Sequence, residues 1–137
     1  MALFTWSDKF SVKQQRMDEH HRQLVSIMNE LDEAIATKRG DEVIGSAIEE
    51  LARCAAEHLR EEDRFMEAIR YPDIENHRAI HKFFADEIAL LRLAYATGHW
   101  VRVQSIAQFL RDWFVHHIFI EDLKYGEFIG ETYVRAA

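Results

Sequence analysis

The sequence predicts an all-α fold, an antiparallel up-down-up-down four-helix bundle with an N-terminal arm and a short C-terminal tail. Three observations predict it. One proline and five glycines in 137 residues are too few breakers for a turn-rich β architecture. Four segments repeat apolar residues at steps of three and four, the beat of helix faces packed together. With 48% hydrophobic and 30% charged residues, a chain of one-domain length can bury a core and still solvate its outside. The expected organisation is one domain over 1–137, with the arm at 1–17, the bundle at about 18–125 and the tail at 126–137.

The elements follow in order. Asp18 is the expected N-cap of a first helix whose stripe runs Leu24, Ile27, Met28, Leu31 and Ile35. Lys38-Arg-Gly40 ends it, with basic residues near the C-terminus and glycine as the stop. The second helix carries Ile44, Ile48, Leu51, Ala55, His58, Glu62, Phe65 and Ile69 on one face, and Tyr71-Pro72-Asp73 breaks it. The third shows Ile74, His77, His81, Phe84, Ile88, Leu91 and Tyr95, closed by Thr97-Gly98. The fourth shows Val103, Ile106, Leu110, Trp113 and His117. Gly126 and Gly130 are expected to loosen the tail.

Composition excludes several classes of function. A net charge of −7, without a basic face or an RNA-type aromatic motif, argues against nucleic acid as a partner. No apolar stretch approaches the roughly 20 residues of a membrane helix. Cys54 is the single cysteine, so no internal disulfide forms, and a reducing compartment is expected. Residues 1–8 lack both the basic start and the apolar run of a secretory signal. A cytoplasmic location is the expectation.

The chemistry lies in histidines and acids set inside the apolar stripes. Burying such a group without a partner costs several kcal/mol, so each needs a compensating bond. A helix advances about 100° per residue, so positions four apart point nearly the same way. His58-Leu-Arg-Glu-Glu62 and His77-Arg-Ala-Ile-His81 are therefore two-toothed metal clamps. Two doublets need resolving. The stripe His21, Leu24, Met28, Leu31 selects His21 over His20, and the fourth helix leads by threes and fours to His117, not His116. Spacing alone pairs His117 with Glu121, four residues on. Asp122, five on, lies about 140° around an ideal helix. His99 reads as a surface residue at a helix start. Cys54, one turn before His58, reads as a small buried hydrophobe, with thiol ligation the weaker alternative. Any one of these histidines alone would pass for a hydrogen-bonded core residue. Together, five imidazoles and two carboxylates are too many for one zinc, and two metals sharing carboxylates is the economical reading.

The strings Asp18-Glu-His-His21-Arg-Gln-Leu24, His58-Leu-Arg-Glu-Glu62, Tyr71-Pro72, His77-x-x-x-His81 and Trp113-Phe-Val-His-His117-Ile118-x-x-x-Asp122 resemble the hemerythrin family. More narrowly, they resemble its single-domain bacterial members, and an arm containing Trp6 also fits. The resemblance implies a non-haem di-iron centre that binds dioxygen reversibly. It implies that His77, His81 and His117 hold one iron and His21 and His58 the other. Glu62 and Asp122 would bridge them, with an oxo or hydroxo group as third bridge. The resemblance selects Asp122 over Glu121. Both that choice and the helix hold only if a π-type insertion rotates Asp122 back toward the core. The apolar beat agrees, because Asp122, Tyr125 and Ile129 resume it one residue late. Four positions depart from the family pattern. His20 stands where glutamine is frequent, Phe114 where leucine is, and Lys13-Gln14 replaces a glycine-apolar pair in the arm.

The two-histidine iron, with fewer protein ligands, is the expected oxygen position, and Trp113 and Phe114 the expected lining of its pocket. The leading function is an oxygen carrier or store, not an enzyme. The alternatives are a sensor of oxygen, nitric oxide or redox state acting through a partner, and a di-iron peroxidase, ferroxidase or nitric oxide reductase. The five neutral imidazoles leave the centre less anionic than a glutamate-rich oxidase site, which favours binding over bond cleavage.

Overall fold

The computed structural model describes residues 6–12, 14–38 and 40–129, and for Asp8, Ile118 and Phe119 the backbone alone. Four long helices follow one 3₁₀ turn at Asp8–Phe10: α1 (Gln15–Ala36), α2 (Asp41–Ala68), α3 (Ile74–Ala96) and α4 (Trp100–His117). A π-helical segment, Ile118–Asp122, joins α4 to α5 (Leu123–Ile129). No strand occurs among the described residues. Helix α1 packs on α2, α2 on α3, α3 on α4, and α4 back on α1, which closes the bundle. The connections are short, as antiparallel neighbours require. No helix among the described residues is long and apolar enough to cross a membrane.

The helix ends differ from expectation at three places, each for a local reason. Helix α1 begins at Gln15, and its cap is Gln14, whose side-chain oxygen accepts from the Met17 N–H at 2.7 Å. Asp18 turns back to the arm instead. It accepts from the Val12 N–H at 2.8 Å and from the Ser11 hydroxyl at 2.6 Å, fastening the arm to α1. At the other end, Lys38 rather than Gly40 takes the left-handed conformation, with φ 55°. Gly40 is the N-cap of α2, while Arg39 lies outside the described residues. Gly98, at φ 73°, does end α3 as expected.

Gly126 is the third difference. It does not loosen a tail but sits buried within α5, where an added Cβ would lie 3.0 Å from the Val12 Cα. Only a residue without a side chain lets the arm backbone cross here. Residues 126–129 are thus helix, and Gly130 with the rest of the tail lies outside the described residues, as does Lys13.

The core runs along the bundle axis through Leu24, Met28, Leu31, Ile44, Ile48, Leu51, Phe84, Leu91 and Leu110, all fully buried. A second cluster (Val12, Met17, Met66, Tyr71 and Tyr125) closes the end where arm and α5 meet. Two stripes drift from the expected positions. Met66, not Phe65, is the buried residue one turn past Glu62, and Phe114 is buried while Trp113 and Ile106 are half-exposed. Steps of 3.6 residues cannot be kept by whole numbers over helices this long, so the inward face moves round by a residue.

Candidate metal centre

All seven sequence-selected ligand candidates come together between the two core clusters, each less than 5% exposed. Helix α1 brings His21, α2 brings His58 and Glu62, α3 brings His77 and His81, and α4 brings His117. Asp122 ends the π-helical segment. That segment decides which of the two acids faces inward. The wider turn carries Asp122 inward to complete burial, and Glu121 stays at the surface, where its carboxylate accepts from Lys124 at 3.3 Å.

The donor atoms fall into two groups that share a carboxylate. One is Glu62, His77, His81, His117 and Asp122; the other is His21, His58 and Glu62. Glu62 faces the first group with Oε1, 2.8 Å from His81 Nε2 and 3.4 Å from His77 Nε2. It faces the second with Oε2, 3.0 Å from His21 Nε2 and 3.4 Å from His58 Nε2. Asp122 divides in the same way. Its Oδ1 lies 2.8 Å from His77 Nε2 and 2.9 Å from His117 Nε2, and its Oδ2 lies 3.1 Å from His21 Nε2.

These atoms fit metal ions better than they fit one another. Glu62 Oε1, both Asp122 oxygens and the Nε2 atoms of His77, His81 and His117 are buried without a hydrogen bond. His77 Nε2 and Asp122 Oδ1 approach to 2.8 Å yet do not align as donor and acceptor. Lone pairs that converge on a common point, in a place closed to water, leave polar atoms orphaned unless a cation takes them all. Nitrogen and carboxylate donors together suit a first-row transition metal.

Partners behind the ligands fix their orientation. His81 Nδ1 lies 3.0 Å from the Asp63 carboxylate, the acid behind a histidine that metal sites commonly use. His58 Nδ1 meets His20 Nδ1 at 3.1 Å, and His20 Nε2 reaches Glu61 at 3.0 Å, itself held by Arg16 at 2.7 Å. His20, the doublet member not selected as a ligand candidate, is therefore a support for His58. His116 is exposed. Tyr125, fully buried, donates its hydroxyl to Glu62 Oε2 at 2.6 Å. Sequence reasoning placed Tyr125 only in an apolar stripe, and Asp63 and Glu61 not at all. The run Glu61-Glu62-Asp63 carries no local sign of which acid faces which way.

The aromatic residues divide between the two groups. The Phe114 ring meets the His21 ring edge-on at 6.0 Å, and Trp6 of the arm approaches His21 at 6.3 Å. Trp113 instead stacks on His117 at 5.0 Å and 6°. Phe84 stacks on both, at 4.9 Å from Trp113 and 5.2 Å from Phe114. Cys54 is buried in the core cluster, its thiol 3.4 Å from Glu50, and belongs to neither donor group.

Electrostatics of the metal-free cluster predict a pH profile. Burial pushes His21 and His77 down, but the Asp122 and Glu62 carboxylates override it and carry both up to about 10. Burial likewise opposes His81, which Asp63 and Glu62 carry up to about 9. His58 is held below its usual value by burial. Glu62 and Asp122 stay well below the carboxylate range, because the surrounding histidines outweigh their burial. The raised histidines stabilise the fold fully below about pH 6.5 and lose that contribution as pH climbs through 9 to 10. The lowered carboxylates contribute above about pH 4 and lose it as acid is added. His58 works against the other histidines, costing stability as pH falls below about 6.5. The urea midpoint of metal-free protein is therefore expected to fall from pH 7 to pH 10, and that of metal-loaded protein to change far less. Equal slopes with and without metal would show that these histidines hold no protons.

Comparison with known proteins places this geometry in a family. The Hemerythrin HHE cation binding domain matches residues 12–129. A bacteriohemerythrin of Methylococcus capsulatus is 30% identical, over 92% of this chain and 96% of that protein. The hemerythrin subunit alpha of Lingula anatina is 30% identical, over 89% and 92%. Among solved structures, wild-type hemerythrin superposes with a TM-score of 0.82 at 28% identity, covering 92% of this chain and 97% of that one.

Proposed function

The chain belongs to the hemerythrin family, and from that premise we propose that it is a cytoplasmic protein that binds dioxygen reversibly at a pair of irons and is not an enzyme. The observation that carries the reading is the division of Glu62 and Asp122, each turning one oxygen to each histidine group. His77, His81 and His117 would hold one iron, His21 and His58 the other, with the two carboxylates as bridges. A ferrous pair held here supplies the electrons that make dioxygen binding strong and reversible.

The protein's part is to hold, shield and limit. Two histidines in one group against three in the other leave the His21 side with fewer protein donors, so that side is the one able to accept a small ligand. Phe114 and Trp6 wall that side with apolar surface. Trp113, also expected in the lining, stacks on His117 of the three-histidine group, so its share in shielding the His21 side is proposed to be smaller than that of Phe114. Excluding water keeps protons from a charge developing in the pocket, which favours release of the ligand unchanged. The test is anaerobic reduction of iron-loaded protein followed by air. A visible band that appears with oxygen and vanishes under vacuum is the expected result. Immediate conversion to a stable oxidised spectrum would replace this reading with redox chemistry.

A further inference from the structure

The bridge at Glu62 is not symmetrical. Its Oε2, the oxygen facing His21 and His58, accepts the Tyr125 hydroxyl at 2.6 Å, while its Oε1, facing His77 and His81, has no hydrogen bond. A carboxylate oxygen that accepts a short charge-assisted hydrogen bond has less electron density left for a cation. The donor cannot swing away. The Tyr125 ring is packed by Phe65 at 5.9 Å, Tyr71 at 6.2 Å and His77 at 5.8 Å. The ligand supports point the same way. A carboxylate stands directly behind the His81 Nδ1, whereas behind the His58 Nδ1 the His20 imidazole stands before Glu61. A carboxylate partner raises a ligand histidine's basicity directly.

We propose that Tyr125 and Asp63 are positioning residues that make the two metal positions unequal, so that the His77–His81–His117 position fills first and the His21–His58 position is the labile one. Tyr125 weakens the labile position by occupying its bridging oxygen. Asp63 strengthens the other by drawing on the Nδ1–H of His81. The chain then has a defined one-metal state between empty and full. This rests on the metal-pair reading above and concerns how the pair is held, not what it binds.

The experiment uses full-length protein loaded with Co²⁺, with ions withdrawn by graded EDTA and counted per chain. Wild-type protein is expected to release its ions in two steps separated by at least about tenfold in chelator, the size of effect that supporting partners of ligands usually have. Tyr125→Phe should close that gap by about tenfold, through tighter holding of the ion released first. Asp63→Asn should close it from the other side, through weaker holding of the ion released last. His58→Ala should keep one Co²⁺ with the affinity of the slower step, which identifies the position. Loss of both ions in a single step from wild type would overturn the proposal, as would an unchanged or wider gap in both Tyr125→Phe and Asp63→Asn. If Tyr125→Phe fails to fold by circular dichroism, Asp63→Asn alone decides. A wild-type chain that never takes up two Co²⁺ would instead remove the metal-pair reading, and this proposal with it.

Discussion

Asp122→Ala is expected to reduce iron from the proposed two per chain to one or none, while Glu121→Ala keeps the wild-type content. The reason is geometric. The π-helical segment gives the inward position to Asp122, fully buried between His77, His117 and His21, and leaves Glu121 paired with Lys124 at the surface. Removing Asp122 deletes one donor from each histidine group and takes away the carboxylate that does most to offset the burial of His21 and His77 in the metal-free chain. Breaking such a buried charge cluster costs roughly 3–5 kcal/mol, so the urea midpoint should fall as well. Truncating Glu121 removes a surface pair worth about 1 kcal/mol at most. Iron content by colorimetric assay and unfolding by urea check both statements. Glu121→Ala protein that loses iron while Asp122→Ala retains it would reverse the assignment.

Phe114→Ala is expected to destabilise the fold by about 3–5 kcal/mol and to hasten air oxidation of the reduced protein, with iron content unchanged. Phe114 is buried in the main core, stacked on Phe84 and edge-on to His21. Its removal opens a cavity beside the group with fewer protein donors, and a cavity with polar atoms on one wall admits water. Trp113→Ala serves as the comparison. Trp113 is half-exposed and stacked on His117, on the other side of the cluster, so its loss should speed oxidation less. Folded Phe114→Ala protein that oxidises at the wild-type rate would place the oxygen-accepting side elsewhere. A fall in iron content would mean that the ring supports His21 and does not merely shield it.

Much of the centre was legible before the fold. His58 with Glu62 and His77 with His81 are one-turn pairs within single helices, and their shared direction follows from helical pitch alone. The doublets resolved because a stripe of apolar residues tells which neighbour faces inward, and the structure buries His21 and His117 while His116 is exposed. The π-helical segment was legible as a stripe that resumes one residue late, with family resemblance choosing the acid. Stripe positions far along a helix were less secure. Phe65 and Met66, or Trp113 and Phe114, differ by one step of rotation, and the packing of the neighbouring helix picks between them.

The sequence by itself determined an all-helical bundle, the clamps His58 with Glu62 and His77 with His81, and the choice of His21 and His117 within their doublets, because these rest on spacings within one element, whereas Asp122 came from the family resemblance against the Glu121 that spacing alone gives. Tertiary structure alone decided the rest. Asp18 holds the arm instead of capping α1, Gly126 makes room for Val12, and Tyr125 finds Glu62 at a separation of 63 residues. Such contacts depend on where two helices or a helix and the arm cross, to within about an ångström. Periodicity within a segment fixes direction but not that crossing, so a hydroxyl or a glycine gives no sign in the sequence of which backbone or carboxylate it will meet.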